Sequence, residues 1–189
     1  MDTTQTNNKS RKITTRDLVL TAMFTAVICV LSQIVIPTQP IPFSLGLLAI
    51  FLTGVILTPR NAFLAVLVYL LLGAFGLPVF ANFKGGIQQL AGNTGGYLAA
   101  YPLMALITSL SYKFSRKYRS AGLLIGLSIG MVISLLLCYL IGTMWFTYLS
   151  GNSFYVSLTL CVFPFVLFDL FKIAIAIAIG IVIRRAVAK

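Results

Sequence analysis

The sequence predicts an all-α integral membrane protein, in which six transmembrane helices form a compact bundle with both termini in the cytoplasm. Of the 189 residues, 59% are hydrophobic and only 9% are charged, and the mean hydropathy is +1.02. A soluble domain could not cover its surface with so few charges. The apolar residues form six long stretches, and the positive charges stand almost entirely at the ends of these stretches. Both patterns are typical of a helical membrane protein.

The first three predicted spans are delimited by prolines and glycines. About 20 apolar residues cross the hydrocarbon core as a helix. The first span, residues 18–36, ends at a polar stretch that has prolines at positions 37, 40 and 42. The second span, residues 43–58, ends at Pro59, and the third, residues 62–78, ends where a glycine-rich stretch begins.

The last three predicted spans are separated by a basic loop and a short polar turn. The fourth span, residues 96–111, is followed by basic residues, and the fifth, residues 121–149, is long enough to tilt in the membrane. The sixth span begins between Phe154 and Leu160 and ends near residue 183. Its alternating Ile and Ala residues resemble a strand pattern, but a lone strand would leave backbone groups unpaired in lipid, so we expect a helix.

The positions of the Lys and Arg residues predict the orientation of the spans. If the N-terminus is cytoplasmic, twelve of the fourteen fall on the cytoplasmic side, Lys84 falls outside and Lys172 falls within the membrane. A missed or an extra span would destroy this asymmetry, so it supports six spans. The twelve are Lys9, Arg11, Lys12, Arg16, Arg60, Lys113, Arg116, Lys117, Arg119, Arg184, Arg185 and Lys189.

The spans divide the chain into a cytoplasmic N-terminal segment, residues 1–17, and a six-helix membrane domain, residues 18–189, with an outward-facing glycine-rich loop at 79–95. The first apolar stretch is long and lacks a small-residue cleavage site, so we expect a retained span rather than a signal peptide. The basic residues at the span ends are expected to contact anionic lipid headgroups.

The rest of the composition argues against several functions. The net charge of +11 is placed at span ends rather than in one patch, so we expect no nucleic-acid binding. The chain has no histidine, and Cys29, Cys138 and Cys161 lie in apolar stretches without a metal-binding spacing. The cysteines are interpreted as packing residues. Because no phosphate-binding motif and no catalytic constellation is present, we expect no enzymatic activity, no metal and no cofactor.

Two ionisable residues, Asp169 and Lys172, lie inside the last apolar stretch. A spacing of three places both side chains on one face of a helix. A charge in the membrane interior costs at least about 2.5–3.5 kcal/mol, so such a residue indicates a functional site by default. The alternative is a structural ion pair that holds two helices together.

The loop between the third and fourth spans combines glycines with amides. Five glycines, at positions 85, 86, 92, 95 and 96, allow tight turns and a close approach of the backbone to a ligand. The segment is too apolar for a solvated linker and too polar for a span, so we expect a lid over a cavity. An ordinary connecting loop is the alternative.

Small residues recur at a spacing of four on two predicted helices. Gly122, Gly126 and Gly130 form a smooth face on the fifth span, which we expect to pack against another helix of the same chain. Ala22 and Ala26 form a similar pair on the first span.

These residues together resemble the BioY family, the biotin-specific substrate-binding (S) components of energy-coupling factor (ECF) transporters. Asp169 and Lys172 match an Asp-x-x-Lys motif in the last span of that family, and Ala22-x-x-x-Ala26 matches the small-residue motif by which S components are thought to dock on their coupling subunit. The central signature is carried by Gly76-Leu77-Pro78-Val79-Phe80-Ala81, Gly85-Gly86 and Gly92-Asn93-Thr94-Gly95-Gly96-Tyr97.

The resemblance implies a multi-pass protein of a prokaryotic plasma membrane that binds biotin from outside. It would deliver biotin through an EcfT-type coupling subunit and two ABC-type ATPases, with Ala22 and Ala26 as docking residues. Biotin has a ureido ring with two N–H donors and one carbonyl, an alkyl tail and a carboxylate, which call for polar groups set among apolar walls. The candidate ligand contacts are Asp169, Lys172, Asn82, Lys84, Gln89, Asn93, Tyr97 and Phe80, with Phe83 and Gln88 as further candidates.

Three alternatives stay open at this stage. An ion-coupled secondary transporter would use Asp169 as a relay and would work without an ATPase. An S component for a different vitamin would share the fold and differ in its ligand. A membrane scaffold that packs through its glycine face would bind no small molecule.

Overall fold

The computed structural model describes residues 14–36, 42–118 and 120–187. The predictions that concern Lys9, Arg11, Lys12, Arg119 and Lys189, and the prolines at positions 37 and 40, lie outside these residues. The elements in chain order are α1 (Thr15–Leu31), β1 (Val35–Ile36), β2 (Phe43–Ser44), α2 (Gly46–Ile56), α3 (Pro59–Ala74), a 3₁₀ turn (Ala81–Phe83), α4 (Ile87–Ala91), α5 (Gly95–Ser115), α6 (Ser120–Ser150), α7 (Phe154–Cys161) and α8 (Phe163–Val187).

The helices form a bundle with an apolar core, which confirms the all-α fold class. In the described part of the chain, two helical segments are, by length and composition, able to cross a membrane: Ala121–Ser150 and Val166–Val187. The helices α2 and α3 are apolar but shorter. With 11 residues, α2 is about 16 Å long, roughly half of the hydrocarbon thickness. The second predicted span is therefore longer than the helix that it contains.

The sixth predicted span is two helices, which corrects the single helix expected from the sequence. The break falls at Val162, whose φ and ψ are −123° and −58°. Pro164 follows in the first turn of α8. Proline has no N–H to continue the hydrogen-bond ladder of α7, but it is tolerated in the first turn of a new helix. Both predicted charged residues of this span, Asp169 and Lys172, therefore lie on α8.

The first helix begins at Thr15, three residues before the predicted span. The Thr14 side chain accepts a hydrogen bond from the Asp17 backbone N–H, and the Asp17 carboxylate accepts one from the Thr14 backbone N–H. This reciprocal pair is a capping box, which satisfies amides at the helix start. Asp17 also accepts a hydrogen bond from the Asn61 side chain at 2.9 Å, which connects the start of α1 to α3.

A two-stranded antiparallel pair follows α1, where the sequence predicted only the end of a span. Val35 pairs with Ser44, and Ile36 pairs with Phe43. The Leu45 N–H also donates to the Ile34 carbonyl at 3.1 Å. This short hairpin positions Phe43 and Ser44 beside α8, where both contribute to the candidate site.

The glycine row of the fifth predicted span packs within the chain, as expected. A Cβ on Gly126 would collide with Ser115, and a Cβ on Gly130 would collide with Ser111, so α6 lies directly against α5. The serines occupy the space that the glycines leave, which holds these two helices at close distance.

Arg184 connects the end of α8 to the end of α2. Its guanidinium donates to the Val55 carbonyl and, at 3.3 Å, to the Leu57 carbonyl, and it lies 3.8 Å from the centre of the Tyr112 ring. These carbonyls belong to the last turn of α2 and its C-cap, where no intrahelical donor is available. The arginine thus caps α2 from another helix and also contacts α5.

Replacing Arg184 with glutamine is expected to destabilise the fold by about 1–3 kcal/mol, because buried carbonyls lose a charged donor. The midpoint of thermal unfolding in lipid-free detergent, followed by Trp145 fluorescence, measures the loss. The matched control is Arg185→Gln, since Arg185 is exposed. Equal midpoints for the two variants would contradict the capping role.

Candidate functional site

A cavity of about 270 Å³ opens among the helices and is lined by residues from almost every element. Its volume lies just below the usual range for small-molecule sites, roughly 300–1,000 Å³. Its walls mix aromatic rings with a few polar side chains. The lining residues include Ser32, Phe43, Ser44, Tyr69, Phe80, Lys84, Gln89, Asn93, Thr94, Tyr97, Tyr101, Cys138, Tyr139, Cys161, Phe165, Asp169 and Lys172.

Asp169 and Lys172 are neighbours on α8 and both line the cavity. The Lys172 Nζ lies 2.9 Å from the Asp169 Oδ1, and each residue is only 5% exposed. The Tyr139 hydroxyl of α6 donates to the Asp169 Oδ2 at 2.5 Å. Each carboxylate oxygen therefore has one donor from the protein. A carboxylate has about four acceptor positions, so roughly two stay available.

Lys172 also connects α8 to the hairpin after α1. Its Nζ donates to the Ser44 carbonyl at 2.8 Å and lies 3.8 Å from the centre of the Phe43 ring. Two of its three ammonium hydrogens thus have oxygen acceptors, and the third has no oxygen acceptor from the protein. The Phe43 ring is itself held by α8, stacked on Phe165 at 6.1 Å and edge-on to Phe168 at 5.2 Å.

The buried pair is electrically neutral as a unit and keeps both acceptor and donor capacity. Burying two charges is tolerated only when further hydrogen bonds satisfy them, which Tyr139 and the Ser44 carbonyl do here. A small polar ligand with adjacent N–H donors and a carbonyl matches the acceptor positions of Asp169 and the donor of Lys172 that have no oxygen or nitrogen partner in the protein. A purely structural ion pair would need no cavity beside it.

Aromatic residues form the walls around this polar centre. Phe80 meets the Tyr69 ring edge-on at 5.5 Å and also fits against Gly73, where a Cβ would collide with the Phe80 ring. Tyr97 is buried, and its hydroxyl lies 3.1 Å from the Thr143 hydroxyl. Such walls suit a ligand with an apolar body.

The glycine-rich loop lines one side of the cavity and is held to the bundle by hydrogen bonds, among them one from the Gly86 N–H to the Gly73 carbonyl of α3 at 2.7 Å. The Gln33 side chain, just after α1, donates to the Pro78 carbonyl at 3.3 Å and accepts from the Phe83 N–H at 3.0 Å. The Trp145 indole of α6 donates to the Gly92 carbonyl at 2.9 Å. The loop also contains α4, a helix that the composition did not indicate.

The structure brings most of the predicted site residues to one cavity. Seven of the eight line it: Asp169, Lys172, Lys84, Gln89, Asn93, Tyr97 and Phe80. Asn82 does not line it. Asn82 and Phe83 adopt positive φ angles of 61° and 55°, and this turn leaves both exposed. Gln88 lies outside the lining and donates to the Gly85 carbonyl at 3.0 Å.

Several lining residues were missed by sequence reasoning. Tyr139 is an isolated tyrosine in an apolar span, and only its contact with Asp169 distinguishes it. Ser44 takes part through its backbone, which no residue pattern reveals. Cys138 and Cys161, interpreted from the sequence as packing residues, are buried and also line the cavity. Across the described ranges, no group of three metal-ligating side chains is present.

The two predicted docking residues lie away from the cavity. Ala22 and Ala26 are exposed on α1 and form a strip of small side chains on the outer surface of the bundle. Their position leaves them accessible to another protein or to lipid.

Comparisons with known proteins agree on one family. Residues 4–189 match a family model described as the BioY family. The chain is 38% identical over 165 residues to the "Probable biotin transporter BioY" of Pyrococcus horikoshii, covering 87% of this chain and 94% of that protein. It is 38% identical over 177 residues to the "Biotin transporter BioY" of Thermotoga maritima, covering 90% and 96%.

The fold is similar to a solved structure, that of the S-component for biotin from an ECF-type ABC transporter. The TM-score is 0.77 and the sequence identity is 25%, and the match covers 92% of each chain. The similarity extends over nearly the whole bundle.

Proposed function

The chain belongs to the BioY family, and we propose that it is the S component of an ECF-type transporter and that its cavity captures biotin. It is a substrate-binding subunit rather than an enzyme. The observation that carries the proposal is the buried Asp169–Lys172 pair, which faces a cavity with acceptor and donor positions still available. Biotin supplies the complementary groups.

The ureido ring of biotin is proposed to bind at Asp169 and Lys172. The ring's N–H groups donate to the Asp169 carboxylate, which is acceptor-only when ionised. The remaining hydrogen of Lys172 donates to the ureido oxygen. Tyr139 and the Ser44 carbonyl hold the two charged groups in place, which reduces the ordering cost when the ligand binds.

The valerate carboxylate of biotin is proposed to lie away from Asp169, because two carboxylates at one site repel each other. Lys84, Gln89 and Asn93 line the cavity on the loop side and offer a cation and amide donors. Phe80 and Tyr97 would then contact the apolar body of the ligand. Asn82 is exposed, and we propose no ligand contact for it.

The membrane arrangement and the partners are parts of the same proposal. Six spans with both termini in the cytoplasm would give a multi-pass protein of a prokaryotic plasma membrane, as the charge distribution favours. An EcfT-type coupling subunit would dock at Ala22 and Ala26, where small exposed side chains allow a close helix contact. Two ABC-type ATPases would supply the energy.

Titration of the purified protein with biotin tests this function. We expect saturable one-to-one binding of biotin and none of thiamine or riboflavin at the same concentrations. Tighter binding of another vitamin would contradict the ligand assignment. Biotin uptake that needs only the proton gradient and no ATPase partner would favour an ion-coupled transporter. No observation on the described residues supports that alternative.

Replacing Phe43 with alanine is expected to weaken biotin binding roughly threefold to tenfold. The ring contacts the Lys172 ammonium and packs on Phe165 and Phe168. Its loss removes a cation–π contact that helps to hold the ammonium in position for the ligand. Calorimetric titration measures the change. The control is Phe83→Ala, because Phe83 is 72% exposed and outside the cavity lining. Equal affinities for the two variants would contradict a role for the Phe43 ring.

A further inference from the structure

A second concavity, the α6–α8 groove, lies at the end of the bundle where α6 begins and α8 ends. Its volume is about 230 Å³, and it shares no residue with the ligand cavity. Apart from one cation, its walls are apolar. The lining residues are Leu123, Leu124, Ile177, Ala178, Ile181 and Arg185.

The groove exists because each of its two helices packs tightly against a different neighbour. Gly180 places α8 against α2, since a Cβ on it would collide with Val55. Gly126 and Gly130 place α6 against α5. The small side chain of Ala178 then leaves the space between α6 and α8 unfilled.

Arg185 is positioned for a partner outside the chain. Ile177, Ile181 and Arg185 follow one another at intervals of four residues, so they lie on one face of α8. Within residues 14–36, 42–118 and 120–187, the Arg185 side chain makes no hydrogen bond, ion pair or ring contact, and it is exposed. Its neighbour Arg184, by contrast, is bound to the end of α2.

We propose that the α6–α8 groove binds one anionic phospholipid, with an acyl chain against the apolar walls and the phosphate at Arg185. An apolar channel that ends in a guanidinium matches both parts of such a lipid. A free phosphate ion would make no favourable contact with the apolar walls.

Native mass spectrometry of the detergent-purified protein tests the proposal. The protein is titrated with dioleoyl phosphatidylglycerol or with dioleoyl phosphatidylcholine. We expect one phosphatidylglycerol per chain, bound about fivefold more tightly than phosphatidylcholine, a difference typical of one arginine near a membrane surface. Arg185→Gln is expected to remove this preference. Ala178→Phe is expected to weaken both lipids by filling the groove.

The matched control is Lys113→Gln, which removes one positive charge from an exposed residue that does not line the groove. It is expected to keep the preference for phosphatidylglycerol. The proposal is overturned if Lys113→Gln and Arg185→Gln reduce the preference equally, because the effect would then be diffuse. Unchanged lipid binding in Ala178→Phe would also overturn the proposal. So would the finding that inorganic phosphate, or a second copy of the chain, binds in place of lipid.

Discussion

Asp169→Asn is expected to weaken biotin binding at least tenfold, equivalent to about 1.4 kcal/mol. The substitution preserves the side-chain shape but replaces one acceptor oxygen with an NH₂ group. That group would face a donor in every direction, because Lys172, Tyr139 and the ureido N–H groups all donate. A buried donor without an acceptor is costly, and Lys172 also loses its counter-charge.

Calorimetric titration of the purified variant measures the loss, and its thermal unfolding profile without ligand checks that it is folded. Asp17→Asn is the matched control, since Asp17 is the only other carboxylate in the described part of the chain and lies outside the cavity lining. Lys172→Ala is expected to weaken binding by at least the same factor. Wild-type affinity in either folded cavity variant would refute the ligand assignment.

Ala22→Trp is expected to block most biotin uptake by cells while the purified protein binds biotin as the wild type does. Ala22 is exposed on α1 and outside the cavity lining, so a large ring there leaves the ligand site intact. The ring would prevent the close helix contact that small residues allow, so a coupling subunit could not dock. The expected decrease in the uptake rate is at least tenfold, equivalent to about 1.4 kcal/mol.

Two measurements separate docking from ligand binding. Docking is tested by the uptake of labelled biotin in cells that express the complete transporter, and ligand binding is tested by titration of the purified variant. Leu136→Trp is the control, because Leu136 is 59% exposed on α6 and a ring there would face lipid. Normal uptake in the Ala22 variant would exclude α1 as the docking surface. A parallel loss of biotin affinity would indicate damage to the fold instead.

The sequence predicted the helical architecture because long apolar stretches have few alternatives in a membrane. It also placed Asp169 and Lys172 on one face of a helix, and the two side chains lie 2.9 Å apart. The break before α8 carried a readable signal in Pro164, since a proline is tolerated in the first turn of a helix but disrupts the hydrogen bonds of a helix interior. The sequence gives no comparable signal for the ends of α2, because the apolar residues continue beyond both ends of the helix.

The partners of the charged pair depend on contacts between elements that are distant in the chain. Tyr139 is 30 residues from Asp169, and the Ser44 carbonyl is 128 residues from Lys172. No local pattern encodes either contact. Asn82 shows the opposite case, because its residue type suits a ligand but its φ of 61° belongs to a turn that leaves it exposed.

A crystal structure of the protein with bound biotin would show directly which groups of the ligand meet the charged pair. We expect a ureido nitrogen within about 3.2 Å of an Asp169 carboxylate oxygen, as a hydrogen bond requires. We also expect the valerate carboxylate to lie toward Lys84 and Asn93. Biotin bound elsewhere, or bound in this cavity with its ureido ring away from Asp169 and Lys172, would show that this pair is not the ligand site.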